Sequence, residues 1–598
     1  MAENKKNPKV EDIVPQWNLS GEYYTGTDDP QIKADMVAIE DAIEYLRDER
    51  PLIKTYKVHD VLGLIRSYEA VVLLLRKLSK FASLNAVTQL DNSEAVKFEA
   101  EISDFVSKQF VELTFIHHEL VALPDAMKME LLCSEKLRNY RHWLDAKLLY
   151  WPAFDEMSSK MLMRKEIVCT AWSNQYEQIC ANMTFTMGKK TYSYDEIREL
   201  AYYNDDREMR KKAQKVMSDK FEQNAYLFVN MLNNIYANEI ADAVNFGCDS
   251  PMFLDVLANG LTEDDILRVS EDVCDSNIPV AHRFYKLMHK MHGFEKMCYV
   301  DRVINPVKSE KRGKYTWVDC LTEVLETLLS GFPNLAALVQ EINNSGRIDA
   351  KPAKGKRSGA FCTQGSTPFV LMNFHGKEGD AEALIHELGH GAHHKLCSQV
   401  GVLNDCTSIG MAEVASEFNE ELLFNKRFAK ATTDKEKLRI LIDNVSGQIC
   451  SIHRQIAFSK FEQRVCRERK KGVLSKEMLD KIYTEEMQRH LGFELEDEAK
   501  NGWMLVPHFF NSPFYVRYYA FAGLIVNRLM GVYKKGKVDN FEMLYIDMLS
   551  NTGVEYYDEL LEPFDLNPDD DDFWTAGIDV ISARIDEIEK LAKKEGLL

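Results

Sequence analysis

The chain has 598 residues, 45% of them hydrophobic, enough to bury one or more substantial cores and fold as a globular protein of a few structural units. Its 94 acidic residues outweigh 74 basic ones, and the formal charge of −20 argues against a nucleic-acid footprint or an anionic-membrane surface. No run approaches the roughly 20 apolar residues of a membrane span, no apolar signal core follows Met1-Ala2-Glu3-Asn4-Lys5-Lys6, and the 12 cysteines are scattered without a CxxC pair, so reduced thiols and a cytoplasmic location are expected.

Residues 1 to about 15 are polar, and Trp17-Asn18-Leu19-Ser20 is the first anchor-like cluster. Asp28-Asp29-Pro30 signals a helix start whose apolar positions Met36, Ile39, Ala42, Ile43 and Leu46 end before Pro51. Long helical patterns then cover about Val58 to Val87, Ser93 to Leu123 and Met127 to Ala146. Met183 to Tyr194 alternates around Gly188 as a short hairpin does, and a unit boundary is expected near 204 with the two parts packed together. Helical sequence runs from Asp206 to about Ala243. A further start lies at Thr262, with Asp265 three residues on completing a capping-box pattern. Tyr299 to Val307 reads as extended, Val318 to Asn343 as helical and Lys351 to Arg357 as loop.

The run Thr367-Pro368-Phe369-Val370-Leu371-Met372-Asn373-Phe374 is strand-like, with Pro368 suited to an edge or strand start. As an edge, Phe369, Val370, Leu371, Met372 and Asn373 would hold an extended peptide through main-chain hydrogen bonds, which explains sequence-tolerant recognition.

Next comes a helical pattern from Ala381 to Lys395 containing His386-Glu387-Leu388-Gly389-His390. Residues four apart share a helix face, so His386 and His390 can put two imidazole nitrogens on one tetrahedral metal. A chance H-E-x-x-H is expected on the order of a few hundredths of a time in such a chain. With two imidazoles and a carboxylate as ligands, zinc keeps an open position and brings the pKa of its water from about 16 toward about 7. Glu387 is placed to accept that water's proton and pass it to a departing amine. A second helical pattern from Met411 to Leu423 offers Glu413, Glu417 and Glu420 on one face as the third ligand, and spacing alone does not choose among them. Cys406, in the intervening turn, is a further conceivable ligand, although a packed thiol is the plainer reading.

Beyond the metal helices, Asp434 to Lys470 reads as one long amphipathic helix and Ser475 to His490 as another. His508-Phe509-Phe510-Asn511-Ser512-Pro513-Phe514-Tyr515-Val516-Arg517-Tyr518-Tyr519 follows, a segment rich in polar rings that can donate to a developing oxyanion or serve simply as core. Asp569 to Asp572 lacks EF-hand spacing and reads as a solvated turn.

Gly355-Lys356-Arg357-Ser358-Gly359-Ala360-Phe361, Leu371-Met372-Asn373, His386-Glu387-Leu388-Gly389-His390 with His393, Ala412-Glu413-Val414-Ala415-Ser416, and His508 through Tyr519 together resemble the oligoendopeptidase F-like branch of the thimet-oligopeptidase family of zinc metallopeptidases. The resemblance extends from Trp17 to Trp574. It implies a mostly α fold, two helical halves enclosing a deep active-site channel, with a small β element beside the HExxH helix. Residues 1–204 would form one channel wall and 205–598 the catalytic region. By the same resemblance His386, His390 and Glu413 bind one Zn2+, Glu387 is the catalytic base, and His508, Tyr515 and Tyr519 contact substrate or the oxyanion. Position 517 is Arg where relatives often carry tyrosine.

The implied activity is internal cleavage of short peptides, with no nucleic-acid or membrane partner. Two rivals are a carboxypeptidase that uses Arg517 to hold a free C-terminus and an inert peptide-binding protein on the same fold. The ligand set also suits cobalt or manganese.

Overall fold

The computed structural model describes residues 13–145, 156–245, 273–308, 315–404, 408–570 and 572–598, with isolated positions at 148, 248, 250–252, 255 and 269. The Thr262 helix start and Cys406 lie outside them. The fold is mostly α, with two small sheets among the described residues. Among the described residues no helix is long and apolar enough to cross a membrane.

Asp29 opens the first helix, Pro30–Glu49, by accepting from the Gln31 amide with Pro30 just inside the start. Ile32, Ile39, Ile43 and Leu46 share its buried stripe and pack with the helices Val58–Ala86 and Ser93–Val121 in a hydrophobic cluster that spans Tyr24 to Leu148. A second, larger cluster runs from Tyr176 to Ala592. Phe185 of the hairpin and Ile197 and Ala201 of the helix Tyr194–Tyr203 belong to it. The hydrophobic division therefore falls ahead of residue 204.

The single helix expected from Met127 to Ala146 is instead broken into Asp125–Leu132, a 3₁₀ segment Glu135–Tyr140, and Arg141–Asp145. Leu131 and Leu137 would lie about 120° apart on one straight helix. The break at Cys133 and Ser134 lets both reach the same core, where each is at most 1% exposed. Tyr299 to Val307 is not extended either: Tyr299–Asp301 is a 3₁₀ turn. Asp301 accepts from the Cys298 amide and is gripped by Arg207 and by Arg210, whose Nη2 is 2.6 Å from Asp301 Oδ1 with both side chains buried. Long-range ion pairing therefore fixes a segment whose local sequence suggested a strand. The 318–343 pattern is two helices, Trp317–Leu329 and Pro333–Asn344, and the 434–470 pattern is interrupted by a π-helical turn at Cys450–Arg454.

The hairpin forms as its pattern predicts. β1 (Phe185–Met187) and β2 (Lys190–Tyr192) are antiparallel, and Gly188 takes the left-handed conformation at the turn. A three-stranded sheet carries β3 (Ile348–Asp349), β4 (Phe361–Cys362) and β5 (Val370–Leu371) in the order β3-β5-β4. β5 runs parallel to β3 and antiparallel to β4. Lys356, almost wholly buried, ties the connecting loop down: its ammonium donates to Asp349 Oδ1 at 2.6 Å and to the Met372 carbonyl at 2.7 Å. The N-terminal anchor covers the outer side of β3, where Pro15 O accepts from the Ala350 amide and the rings of Trp17 and Tyr23 pack on Phe369.

The sheet abuts the helix Gly379–Cys397, which packs along Ile409–Lys430. Contact between these two helices is close at Gly389, where a Cβ would stand 2.9 Å from Ala415 O, Asn419 Nδ2 and Ser416 Cα. Two of those three neighbours are backbone atoms that cannot swing aside. Gly389→Ala is therefore expected to lower stability by about 1–3 kcal/mol, despite alanine's better helix propensity, as read by denaturant unfolding of the metal-free protein.

Candidate active site

Asp380, in the first turn of the helix Gly379–Cys397, accepts from the amides of His375 and Lys377 at 2.9 Å and fixes the helix start against the sheet. Its next turns carry His386 and His390 on one face, ring centres 4.8 Å apart. Ser408 caps the partner helix Ile409–Lys430 by accepting from the Met411 amide, which sets Glu413 just past the first turn. Glu413 Oε2 lies 3.6 Å from His386 Nε2 and 3.7 Å from His390 Nε2. One ligand atom from each residue falls within 4.8 Å of the others, so two imidazole nitrogens and a carboxylate oxygen converge as a zinc site requires.

The other two candidate acids have different surroundings. Glu420 Oε1 lies 2.6 Å from His386 Nδ1, the nitrogen turned away from the convergence point, and so fixes the ring's orientation. Glu417 lies against Gly523 of the helix Arg517–Lys535. Ser416 donates to the Glu413 carbonyl at 2.9 Å and sits 3.3 Å from Oε2. Neither Glu420 nor Ser416 was assigned these roles from sequence. The offset of seven residues between Glu413 and Glu420 was the available signal for Glu420.

Burial opposes charge on His386, but the hydrogen bond and charge of Glu420, with Glu387 and Glu413, outweigh it and raise its pKa to about 10. Burial lowers His390 to about 4, leaving that ring neutral and able to coordinate. A bound cation would take the place of the proton that the surrounding carboxylates hold on His386. Glu387 is 7% exposed, and burial pushes its carboxyl up to about 7, with Glu413 and Glu420 adding to the rise and His386 opposing it. A group that titrates near neutrality is suited to both accepting and returning a proton.

The polar-ring segment reaches the same place. The Tyr515 hydroxyl donates to Glu413 Oε1 at 2.7 Å, and the Tyr519 hydroxyl is 3.4 Å from His508 Nε2. Burial raises both phenols, so they keep their protons, and lowers His508. Phe514 holds a left-handed φ of 68°, costly for a residue with a side chain, and its amide donates to the buried Glu462 at 2.7 Å. That anchor turns the chain just before Tyr515. Arg517 is buried, and its guanidinium bonds Asp255. It is therefore committed to an ion pair rather than poised for a substrate carboxylate.

The assignment of residues 369–373 as a substrate-holding edge is corrected. β5 is the central strand: Val370 N donates to Arg347 O, Met372 N to Asp349 O, and Phe369 O accepts from Thr363 N. Phe369, Val370, Leu371 and Met372 are at most 1% exposed. Asn373 binds its own loop, donating to the carbonyls of Arg357 and Gly359. Pro368 lies two residues ahead of the strand, and the sheet's uncovered side belongs to β4, which packs beside the histidine helix with Cys362 Sγ near Gly391.

A cavity of about 730 Å³ adjoins the site. His386, Glu417, Glu420 and Tyr519 line it together with residues of the helix Tyr194–Tyr203 and the π-turn.

Residues 333–580 match Peptidase family M3. Over 99% of its length and 99% of the relative's, the chain is 23% identical to an oligoendopeptidase F homolog of Lactococcus lactis subsp. lactis, and over 87% and 88% it is 25% identical to the group B oligopeptidase PepB of Streptococcus agalactiae. The crystal structure of oligoendopeptidase-F from Enterococcus faecium shares the fold, with a TM-score of 0.72 at 17% identity, covering 95% of this chain and 100% of that one. Residues 333–580 thus carry the match to the metallopeptidases of Peptidase family M3, and along nearly its whole length the chain is similar to oligoendopeptidase F relatives.

Proposed function

We propose that the chain is a zinc-dependent endopeptidase that hydrolyses internal bonds of short, unstructured peptides, with water as nucleophile and Glu387 as general base. The observation that carries this reading is the convergence of His386, His390 and Glu413 within 4.8 Å beside a buried carboxylate. These three residues would hold the metal, with Glu420 and Ser416 orienting them. When bound, zinc supplies Lewis-acid polarisation of the scissile carbonyl and a lowered pKa for water.

Glu387 takes a proton from the attacking water and delivers it to the leaving amine, tasks that match a carboxyl held near neutrality. His508 and Tyr519 are the donors offered to the oxyanion. Tyr515, whose hydroxyl is engaged by Glu413, is read mainly as holding that ligand carboxylate in place. An extended peptide would lie along the free side of β4 rather than along β5. Entry into a cavity of about 730 Å³ favours extended peptides over folded proteins. Residues 1–204, through the helix Tyr194–Tyr203, would supply one wall and 205–598 the catalytic region. The eleven described cysteines are all unbridged, which supports a reducing compartment such as the cytoplasm.

Glu387→Gln should keep one zinc per chain, measured by elemental analysis, and lose about 10²–10⁴-fold in turnover. His390→Ala and Glu413→Ala should lose both the metal and the activity. Tyr515→Phe should weaken zinc retention against a competing chelator by about tenfold, while Tyr519→Phe should lower kcat with zinc affinity unchanged. A series of internally quenched peptides blocked at both ends provides the direct test of the proposed reaction. Cleavage should require the metal, return on adding zinc after chelation, and fade as peptides lengthen; zinc-replete protein that leaves every member intact would refute the endopeptidase reading.

A further inference from the structure

The charges around the cavity are unevenly satisfied. Arg427 lines it but is engaged by Glu323 and Glu382, and Arg439 pairs with Asp443 and Glu378. Arg302 and Arg454 line it too, and no carboxylate among the described residues pairs with either. The acid next to Arg302 in sequence, Asp301, is already held by Arg207, Arg210 and the Cys298 amide. Glu420 is bonded to His386, and Glu421 to Arg584.

Arg302 is 6% exposed, and its guanidinium sits 4.9 Å from the Tyr202 ring centre and 3.8 Å from that of Tyr299. Nη1 donates to the Tyr299 carbonyl at 2.9 Å, while the buried Nε has no hydrogen-bond partner. Arg454 packs over Phe458, and its Nε is likewise buried without a partner. Both side chains line the same cavity. Arg454 closes the π-helical turn Cys450–Arg454, and such turns recur at functional sites because the extra residue redirects side chains. Two guanidinium groups that line one cavity, with no carboxylate partner among the described residues, constitute an anion site, with the fork geometry suited to a carboxylate.

We propose that Arg302 and Arg454, framed by Tyr202 and Tyr299, form a subsite that binds the C-terminal carboxylate of the peptide substrate in the cavity lined by His386. The proposal rests on the peptidase reading and adds a specificity determinant to it. Every peptide carries a terminal carboxylate whatever its sequence, so a side-chain-tolerant enzyme can use that charge to set which bond reaches the metal. Binding from the C-terminus makes the cleaved bond a fixed number of residues from that end. The free carboxylate, not the N-terminus, then measures the substrate.

The test uses the zinc-loaded full chain and internally quenched peptides in matched pairs, one with a free C-terminal carboxylate and one amidated, extended stepwise at the N-terminus, with products identified by mass spectrometry. Amidation should raise KM by about 10-fold or more, the loss expected for hydrogen bonds to a charged group. The C-terminal fragment of the free-acid series should stay constant in length as the N-terminus grows. Arg302→Gln and Arg454→Gln should collapse the difference between acid and amide. Should a variant fail to fold, calorimetric binding of the same pairs to zinc-loaded Glu387→Gln supplies the readout, with the acid expected to bind about 10-fold more tightly. Equal KM and equal binding for the two forms would overturn the subsite while leaving metal-dependent cleavage intact. Equal stimulation of both forms by chloride, lost in the arginine variants, would also overturn it by assigning the pair to an inorganic anion.

Discussion

Everything at the metal centre depends on how closely two helices approach. One helix can present His386 and His390 on a single face, but the third ligand must come from a different element, and its reach is short. The absence of a side chain at Gly389 lets the Ile409–Lys430 helix settle against the Gly379–Cys397 helix, with Ala415 O, Ser416 Cα and Asn419 Nδ2 each 2.9 Å from where a Cβ would stand. Glu413 is carried to within 3.7 Å of both imidazoles by that packing. Gly391, on the opposite side of the helix, likewise leaves room for Ile342. The coordinating geometry is thus a property of backbone proximity, to which Glu420 and Ser416 add orientation.

A second theme is the pairing of buried charge. Removing ions from water is costly unless they are paired and hydrogen-bonded, and the core of this chain obeys that rule: Arg210 with Asp301, Lys356 with Asp349, and Arg584 with both oxygens of Glu421. Departures from the rule are found around one cavity, where carboxylates crowd His386 and, among the described residues, Arg302 and Arg454 have no carboxylate partner. Stability alone does not explain leaving charge uncompensated, so these departures are where ligand chemistry is to be sought.

Local signals recovered much of the fold. The Asp29-Pro30 start, the turn at Gly188 and the Ser475 cap each act within a few residues, and the corresponding elements form where the patterns put them. The broken 125–145 region and the turn at 299–301 were illegible because their shape is set by distant partners, Leu131 and Leu137 by a shared core and Asp301 by Arg207 and Arg210. The 369–373 strand was recognisable as a strand, yet whether a strand is central or peripheral depends on what flanks it, and β3 and β4 come from segments whose own patterns are only two residues long. Within the site, the HExxH spacing named two ligand candidates and a base, while the jobs of Glu413, Glu417 and Glu420 were separable only once the helices were packed. Arg302 and Arg454 are 152 positions apart, beyond any local reading.

The N-terminal anchor carries one more consequence. A three-stranded sheet ordinarily offers two open borders, each able to recruit a foreign strand, including one from another copy of the same chain. Here Pro15 receives the amides of Ala350 and Lys351, and Gly346 accepts from Asn18, so the border at β3 is sealed by the chain itself. The remaining border faces the histidine helix. The sheet can therefore grow in one direction only, toward the chemistry, and the segment from Pro15 to Asn18 serves at a distance as a guard against promiscuous strand pairing.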